Sequence, residues 1–310
     1  MRPQSPIPLD VSDEIQVTLG LGGPVVALES SVITHGLPHP ANLEAARRIK
    51  RAVREGGATP AVVALVGGTV RVGLSDADLA QLAAREVSKV ARRDLGVAIA
   101  RAASGGTTVS ATLAVAHALG VRVQATGGIG GVHIGAERTW DISADLDELS
   151  RRPLVLVCSG PKAICDAGAT LEALETRGVT VAGYRTTRFP LFYIADSGFP
   201  TPWTVETPAE VAAISRAKER LGDPSALLVA NPPPPGSALD PASVAEAVGA
   251  AITQAEHAGV RGVDLTPFLL AEVDRLTGGL AVEANLALLE ANAALAAEIA
   301  VALSEERLPA

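Results

Sequence analysis

Cysteine, lysine and aromatic side chains are all scarce in this chain of 310 residues. Two cysteines, Cys158 and Cys165, are too few for a disulfide framework, and no cysteine pair has metal-ligand spacing. A reducing, cytoplasmic setting is therefore expected. A basic excess is missing too: the formal charge is −8 and the pI is near 5.2. That balance argues against a nucleic-acid backbone or an anionic membrane as the main partner, since both call for basic surface. It leaves room for a local basic pocket that holds one phosphate. The Pro-rich start, Met1–Asp10, has no apolar stretch of signal-peptide type. The most membrane-like segment, Leu280–Leu303, carries Glu283, Glu290 and Glu298 with Asn285 and Asn292, and reads as an Ala-rich soluble helix. No internal repeat and no low-complexity tail is evident.

What is present is apolar material: 48% of the residues are hydrophobic, ample for a large core. Short apolar runs recur at Pro24–Leu28, Ala61–Val66, Val121–Ala125, Leu154–Cys158, Val179–Tyr184 and Ala226–Ala230. Apart from Arg122 they lack charge, as strands buried on both faces do. Amphipathic stretches separate them, among them Ala41–Glu55, Asp76–Arg85, Ser110–Leu119, Ile164–Arg177, Pro208–Leu221 and Ala242–Ala258. The alternation predicts a single α/β domain with a mostly parallel central sheet flanked by helices on both faces. We place an N-terminal extension at residues 1–20 and the single α/β domain at 21–308. The Pro-rich turn Asn231–Gly236 is the most plausible internal boundary, although alone it is only a rigid loop.

Ligands of parallel sheets bind beyond the C-terminal strand ends. Here those ends read Glu29-Ser30-Ser31, Thr126-Gly127-Gly128, Ser159-Gly160-Pro161-Lys162, Arg185-Thr186-Thr187 and Asn231-Pro232. Small, polar or charged residues follow each run, so several turns on one edge point to a site.

Only four lysines occur, Lys50, Lys89, Lys162 and Lys218, against 22 arginines among the 26 basic residues. An amine can form an imine and a guanidinium cannot. Lys50 and Lys218 sit in charged helical surfaces. Lys162 follows an apolar strand and is expected to open a helix, where desolvation and helix N–H dipoles would lower its pKa toward that of a nucleophile. The same Ser-Gly-x-Lys pattern suits phosphate binding at a helix N-terminus, and the residues alone leave both roles open. Lys89, Arg92 and Arg93 put three cations within five positions. They read either as a phosphate site or as a surface cluster balanced by Asp94.

Thr126 through His133 hold four glycines in five positions, without dinucleotide-binding or P-loop spacing. Gly105-Gly106-Thr107-Thr108-Val109 could cradle a phosphate or merely cap a helix. Asp141 and Asp145, four apart, would share a helical face and could hold a hard divalent cation; such pairs are more often caps or solvated acids. His133 lies nearby, yet no zinc motif accompanies it. Glu29 is the best lone candidate for a general acid, with a turn cap or an arginine partner as the alternative. His35 and His39, on a Pro-stiffened loop, are expected to shape a pocket rather than react.

Together these segments resemble the pseudouridine-5'-phosphate glycosidase family, which includes indigoidine-synthase-A-like proteins. The matching stretches are Val26-Ala27-Leu28-Glu29-Ser30, His35-Gly36-Leu37-Pro38, Lys89 through Leu95, Thr126 through His133 and Asp141 through Leu146. Ser159-Gly160-Pro161-Lys162, Thr266 through Leu270, Leu276 through Gly279 and Ala284-Asn285 follow in family order. The resemblance implies reversible conversion of pseudouridine 5'-phosphate and water to uracil and ribose 5-phosphate. It implies a divalent metal, usually Mn²⁺, and a homotrimer. By position, Lys162 resembles the covalent nucleophile, Glu29 the proton donor and Asp141 the metal ligand. Lys89, the backbone at Val109 and the segment Ser143-Ala144-Asp145 resemble substrate contacts. His133, Arg92, Arg93, Thr108 and Asn285 form an outer set of candidates.

The chain departs from the family pattern at Ile134, where Arg is usual, at Ala91, where Ser is usual, and at Pro161, where Ala is usual. The loss of an arginine bears on substrate preference. An imine-forming sugar-phosphate aldolase and a non-catalytic sugar-phosphate-binding protein are the rival readings. The first predicts retro-aldol cleavage of a keto sugar; the second predicts binding that tolerates Lys162→Arg.

Overall fold

The computed structural model describes residues 9–305. Its strands are β1 (Leu9–Val11), β2 (Val25–Leu28), β3 (Thr59–Val66), β4 (Thr69–Val72), β5 (Ser88–Val90), β6 (Gly105–Thr107) and β7 (Val123–Ala125). There follow β8 (Val132–His133), β9 (Val155–Cys158), β10 (Cys165–Asp166), β11 (Thr180–Tyr184), β12 (Trp203–Val205) and β13 (Leu227–Ala230). The helices are α1 (Asp13–Gly20), α2 (Ala41–Glu55), α3 (Asp76–Ala83), α4 (Leu95–Ala100), α5 (Val109–Leu119) and α6 (Ala136–Thr139). The chain continues through α7 (Ala144–Leu149), α8 (Ala167–Thr176), α9 (Pro208–Leu221), α10 (Pro241–Ala258), α11 (Leu265–Leu276) and α12 (Leu280–Glu305).

The centre is a run of parallel strands in the order β3-β2-β7-β9-β13-β11-β12. Successive residues of each strand enter opposite cores, as a pleat requires. Val26, Leu28, Val155, Val157, Leu227 and Val229 face one core, which α2, α9, α10, α11 and α12 cover. Val25, Ala27, Leu156, Cys158, Leu228 and Ala230 face the other, under α1, α4, α5, α7 and α8. Burial on both faces explains why these strands read as uninterrupted apolar runs rather than as alternation. It also explains α12: the helix is long and apolar enough to cross a membrane, but it lies on β2, β7 and β9 inside the protein. Asn292 and Asn285 are on its buried side.

One expectation about chain organisation changes, and the single domain stands. The segment assigned to an N-terminal extension is built into the domain: β1 pairs in parallel with β4, and Ile15 of α1 is fully buried. The Pro-rich turn after β13 is not a boundary, because α10 and α11 beyond it cover the same core as α2. The short strands β4, β5 and β6 escape an apolar-run reading for a physical reason. They are three or four residues long; β4 and β6 run antiparallel to β3 on its opposite edges, and β5 adds to β6.

Candidate active site

The order of the parallel strands reverses at β2. The chain goes from β2 to β3 on one side, and later to β7 on the other. Such a switch point opens a crevice at the C-terminal strand ends. Glu29, the first residue after β2, lies in it and is 5% exposed. Its two carboxylate oxygens accept hydrogen bonds from the Ser31 and Thr126 hydroxyls, so the strand-end residues of β2 and β7 are tied to each other. Ser30 points the other way: its hydroxyl donates to the Val63 carbonyl at 2.7 Å and accepts from the Thr107 N–H at 3.0 Å. Where β2 ends, β6 thus takes its place beside the longer β3. One turn of π-helix, Val32–Gly36, follows, a form that recurs at functional sites.

Lys162 reaches the same crevice from β9. The expectation that it opens a helix is corrected: a turn and then β10 follow it, and α8 begins only at Ala167. Lys162 therefore does not stand at the N-terminus of α8. Its position comes from the glycine-rich loop instead. The Lys162 N–H donates to the Ile129 carbonyl at 2.9 Å, and the Ile129 N–H to the Gly160 carbonyl at 3.1 Å. Gly160 has φ +76°, and a β-carbon there would run into the Pro190 carbonyl oxygen, so no other residue fits before Pro161-Lys162. The Lys162 amine makes no ion pair or hydrogen bond to the described residues.

The other side of the glycine loop holds the acidic segment. Asp141 and Asp145 do not share a helical face, because α7 starts between them with Ser143 as its N-cap. The Asp145 carboxylate is buried and accepts from the Gly130 and Ser110 N–H groups, each at 2.9 Å. It thereby fastens the glycine loop to the start of α5. Ala144 opens α7, Val109 opens α5, and Thr108 precedes it with its hydroxyl 3.0 Å from Ser110 Oγ rather than capping the helix. Gly105-Gly106, read as a possible phosphate turn, is instead strand β6.

Asp141 stands apart, with its side chain 39% exposed and Oδ2 3.7 Å from His133 Nδ1. Burial lowers the His133 pKa, and the Lys162 and Lys89 charges add to this against the pull of Asp141. Among the described residues no three His, Cys, Asp or Glu side chains converge as a metal site. One carboxylate beside a neutral imidazole does not fit a closed zinc site. It fits a hard cation that keeps most of its water.

Lys89, on β5, lines the pocket with Glu29 and Lys162. Burial, and next the Lys162 charge, push its pKa down to about 8. The expected three-cation cluster does not form around it. The Arg92 guanidinium faces buried Glu148 at 3.8 Å, and Arg93 is largely exposed beside Asp94. The backbone explains this: a 3₁₀ turn at Arg92–Asp94 carries both arginines away from the line of β5.

The pocket is open to solvent, with a cavity volume of about 40 Å³. Besides Glu29, Lys89 and Lys162, its wall contains Asn285 of α12, whose buried Oδ1 has no hydrogen-bond partner among the described residues. His35 also lines it; His39 does not. Sequence reasoning missed Phe192, which forms an apolar wall against Gly128, and Thr266, Pro267 and Leu270 of α11. The scarcity of aromatics was the available signal for Phe192: it is one of four phenylalanines, in a loop after a strand. For α11 the signal was the family-matching stretch Thr266 through Leu270, to which no role in the site was assigned.

Comparison with known proteins places this arrangement among relatives. The profile of the family "indigoidine synthase A like protein" matches residues 14–302. A pseudouridine-5'-phosphate glycosidase of Methylobacterium nodulans is 51% identical over 300 residues, covering 96% of this chain and 89% of the relative. One of Saccharopolyspora erythraea is 51% identical over 295 residues, covering 95% and 97%. Among solved structures, the prealnumycin C-glycosynthase AlnA in complex with ribulose 5-phosphate is similar at 36% identity and a TM-score of 0.89. An indigoidine synthase A-like protein from Thermotoga maritima is similar at 35% identity and the same TM-score. Each alignment covers 98% of this chain and 99% of the solved one.

Proposed function

The chain belongs to the indigoidine synthase A like protein family, and from that premise we propose that it is a pseudouridine-5'-phosphate glycosidase. It reversibly cleaves the carbon–carbon bond between ribose C1' and the base, giving uracil and ribose 5-phosphate. The observation that carries this reading is the convergence of Glu29, Lys89, Lys162 and Asn285 on one pocket at the switch point of the sheet.

The substrate explains why an amine is needed. Its base leaves as carbon, a far poorer leaving group than an amide nitrogen, so a two-carboxylate route through an oxocarbenium ion is unsuited. In our reading Glu29 gives a proton to the ring oxygen as the C1'–O bond opens, and the Lys162 amine bonds to C1'. The bonded amine returns a proton to the Glu29 carboxylate; its lone pair then closes to an imine while the C1'–base bond breaks, and the base carbon takes that proton. Water adds to the imine carbon, and ribose 5-phosphate and the free amine are released. Lys89 holds the phosphate as a point charge. The backbone at Val109 and the segment Ser143-Ala144-Asp145 bind the sugar phosphate, with His133, Thr108, Arg92 and Arg93 outside that set. Asn285 offers an amide donor and acceptor, the complement of a uracil edge.

We further assign Asp141 to a divalent cation, Mn²⁺ by the resemblance. Such an ion, when bound, screens phosphate charge and orients substrate oxygens. A cytoplasmic homotrimer completes the proposal. Incubating the protein with uracil, ribose 5-phosphate and Mn²⁺ is expected to yield pseudouridine 5'-phosphate. Folded protein that makes none, or that instead cleaves a keto-sugar phosphate by retro-aldol reaction, would overturn the reading.

A further inference from the structure

The mechanism above leaves out His35, although its ring lines the same pocket and both of its nitrogens are engaged. Nε2 lies 3.0 Å from the Val87 carbonyl oxygen. A carbonyl can only accept, so Nε2 carries the hydrogen. Nδ1 lies 2.6 Å from Thr34 Oγ1 and, in the neutral ring, accepts the hydroxyl proton. Burial, and the Lys89 charge after it, outweigh the Val87 bond and lower the ring's pKa, which favours that neutral form. The ring therefore has no free nitrogen with which to react.

Its bond to Val87 joins two segments of the site. On one side is the π-helical turn that follows Glu29. On the other is the chain entering β5, with Lys89 two residues further on. β5 has only three residues, and its sole strand partner among the described residues is β6. Lys89 pairs there with Gly106, where a β-carbon would collide with Thr34 Oγ1. Thr34, His35, Val87, Lys89 and Gly106 thus interlock around one short edge strand. That strand carries a charge whose position a phosphate must match.

We propose that His35 is a positioning residue whose Nε2–H bond to Val87 fixes the strand bearing Lys89 at the spacing from Glu29 and Lys162 that a phosphorylated sugar requires. The proposal rests on the assignment of Lys89 to the phosphate. It goes beyond pocket shape, because it names the bond involved and the half of the substrate that depends on it.

The test compares His35→Leu, which removes the donor, with His35→Gln, whose longer amide can still donate to Val87. Thr34→Val removes the partner of Nδ1, together with the Thr34 hydroxyl's own bond to the Ser30 carbonyl at 3.2 Å, and leaves the Nε2–H bond to Val87 in place. The readouts are Kd for ribose 5-phosphate by calorimetry, and kcat and KM for pseudouridine 5'-phosphate and for unphosphorylated pseudouridine. For His35→Leu, Kd and KM for the phosphorylated compounds are expected to rise roughly tenfold with kcat little changed, as for a misplaced contact. The rate constant kcat/KM for pseudouridine itself should hold, and His35→Gln should recover most of the loss. Thr34→Val should have the smaller effect. Equal losses on both substrates, a fall in kcat at constant KM, or a Gln variant no better than Leu would each overturn the proposal. If His35→Leu does not fold, His35→Asn takes its place, its amide being too short to reach Val87. Wild-type protein that turns over neither substrate refutes the glycosidase reading instead, and Kd for ribose 5-phosphate still decides the role of His35.

Discussion

Two turns apart on the buried side of α12, Asn292 and Asn285 are held in opposite ways. Asn292 is completely satisfied: Nδ2 donates to the Thr126 carbonyl at 2.9 Å and to Ser159 Oγ at 3.1 Å, while Oδ1 accepts from Asn231 at 2.9 Å. It pins together the ends of β7, β9 and β13. Asn285 faces the pocket with a buried oxygen that has no partner among the described residues. The lysines divide in the same way. Lys50 pairs with Asp76 at 2.6 Å, and Lys218 bonds to Asp223, Thr180 and Ser225. Lys89 and Lys162 share one pocket and pair with no carboxylate among the described residues. Leaving a buried polar group unsatisfied costs about 1–3 kcal/mol. Groups that bear such a cost at one place mark where a ligand belongs, whereas saturated groups mark where the fold is tied together.

The sharpest way to break this division is at the lysines. Lys162→Ala is expected to lower turnover by roughly 10³-fold or more and to abolish borohydride trapping with ribose 5-phosphate, with the circular dichroism unchanged. Full activity in that variant would remove Lys162 from the reaction. At the asparagines the effects should cross over. Asn292→Ala strips a buried network and is expected to cost about 2–4 kcal/mol, seen as a fall in Tm of several degrees. Asn285→Ala is expected to leave Tm within a degree or so while reducing kcat/KM by about one to two orders of magnitude. Equal thermal penalties for the two would refute the contrast.

A pH titration refines the comparison. The Lys89 amine, held near 8 rather than at its ordinary 10.5, loses its charge as pH rises through about 8. KM for the phosphorylated substrate should therefore climb above that pH and be level below it. Stability shifts the other way: between about 8 and 10.5 the unfolded chain binds a proton that the folded chain lacks, so rising pH favours folding there. Lys89→Met should flatten both profiles. The smallest effect is expected at the thiols. Burial pushes Cys158 and Cys165 up to about 12, so alkylating reagents at pH 8 should leave native activity unaltered.

Much of the fold was legible in the sequence because its signals are local. Five of the six apolar runs contain a strand and the sixth, Ala61–Val66, lies within β3, while Ala41–Glu55 and Pro208–Leu221 are helices with those same bounds. The strand-end rule brought out Glu29, Thr126 and Lys162, three residues that meet in the pocket. Where the reading failed, nearness in sequence was taken for nearness in space. Arg92 and Arg93 follow Lys89 closely yet face Glu148 and Asp94 and do not line the pocket, whereas Phe192, given no role, does.

The environment of Lys162 shows where the division falls. The sequence by itself determined that a lysine would stand at the C-terminal end of a buried parallel strand, because an uninterrupted apolar run before it allows little else. Tertiary structure decided what surrounds its amine: a β-bridge and a glycine loop in place of the N-terminus of α8, Glu29 across the switch point, and Lys89 from an edge strand. Those neighbours arrive through strand order and hydrogen bonds between distant segments, which no local pattern of residues encodes.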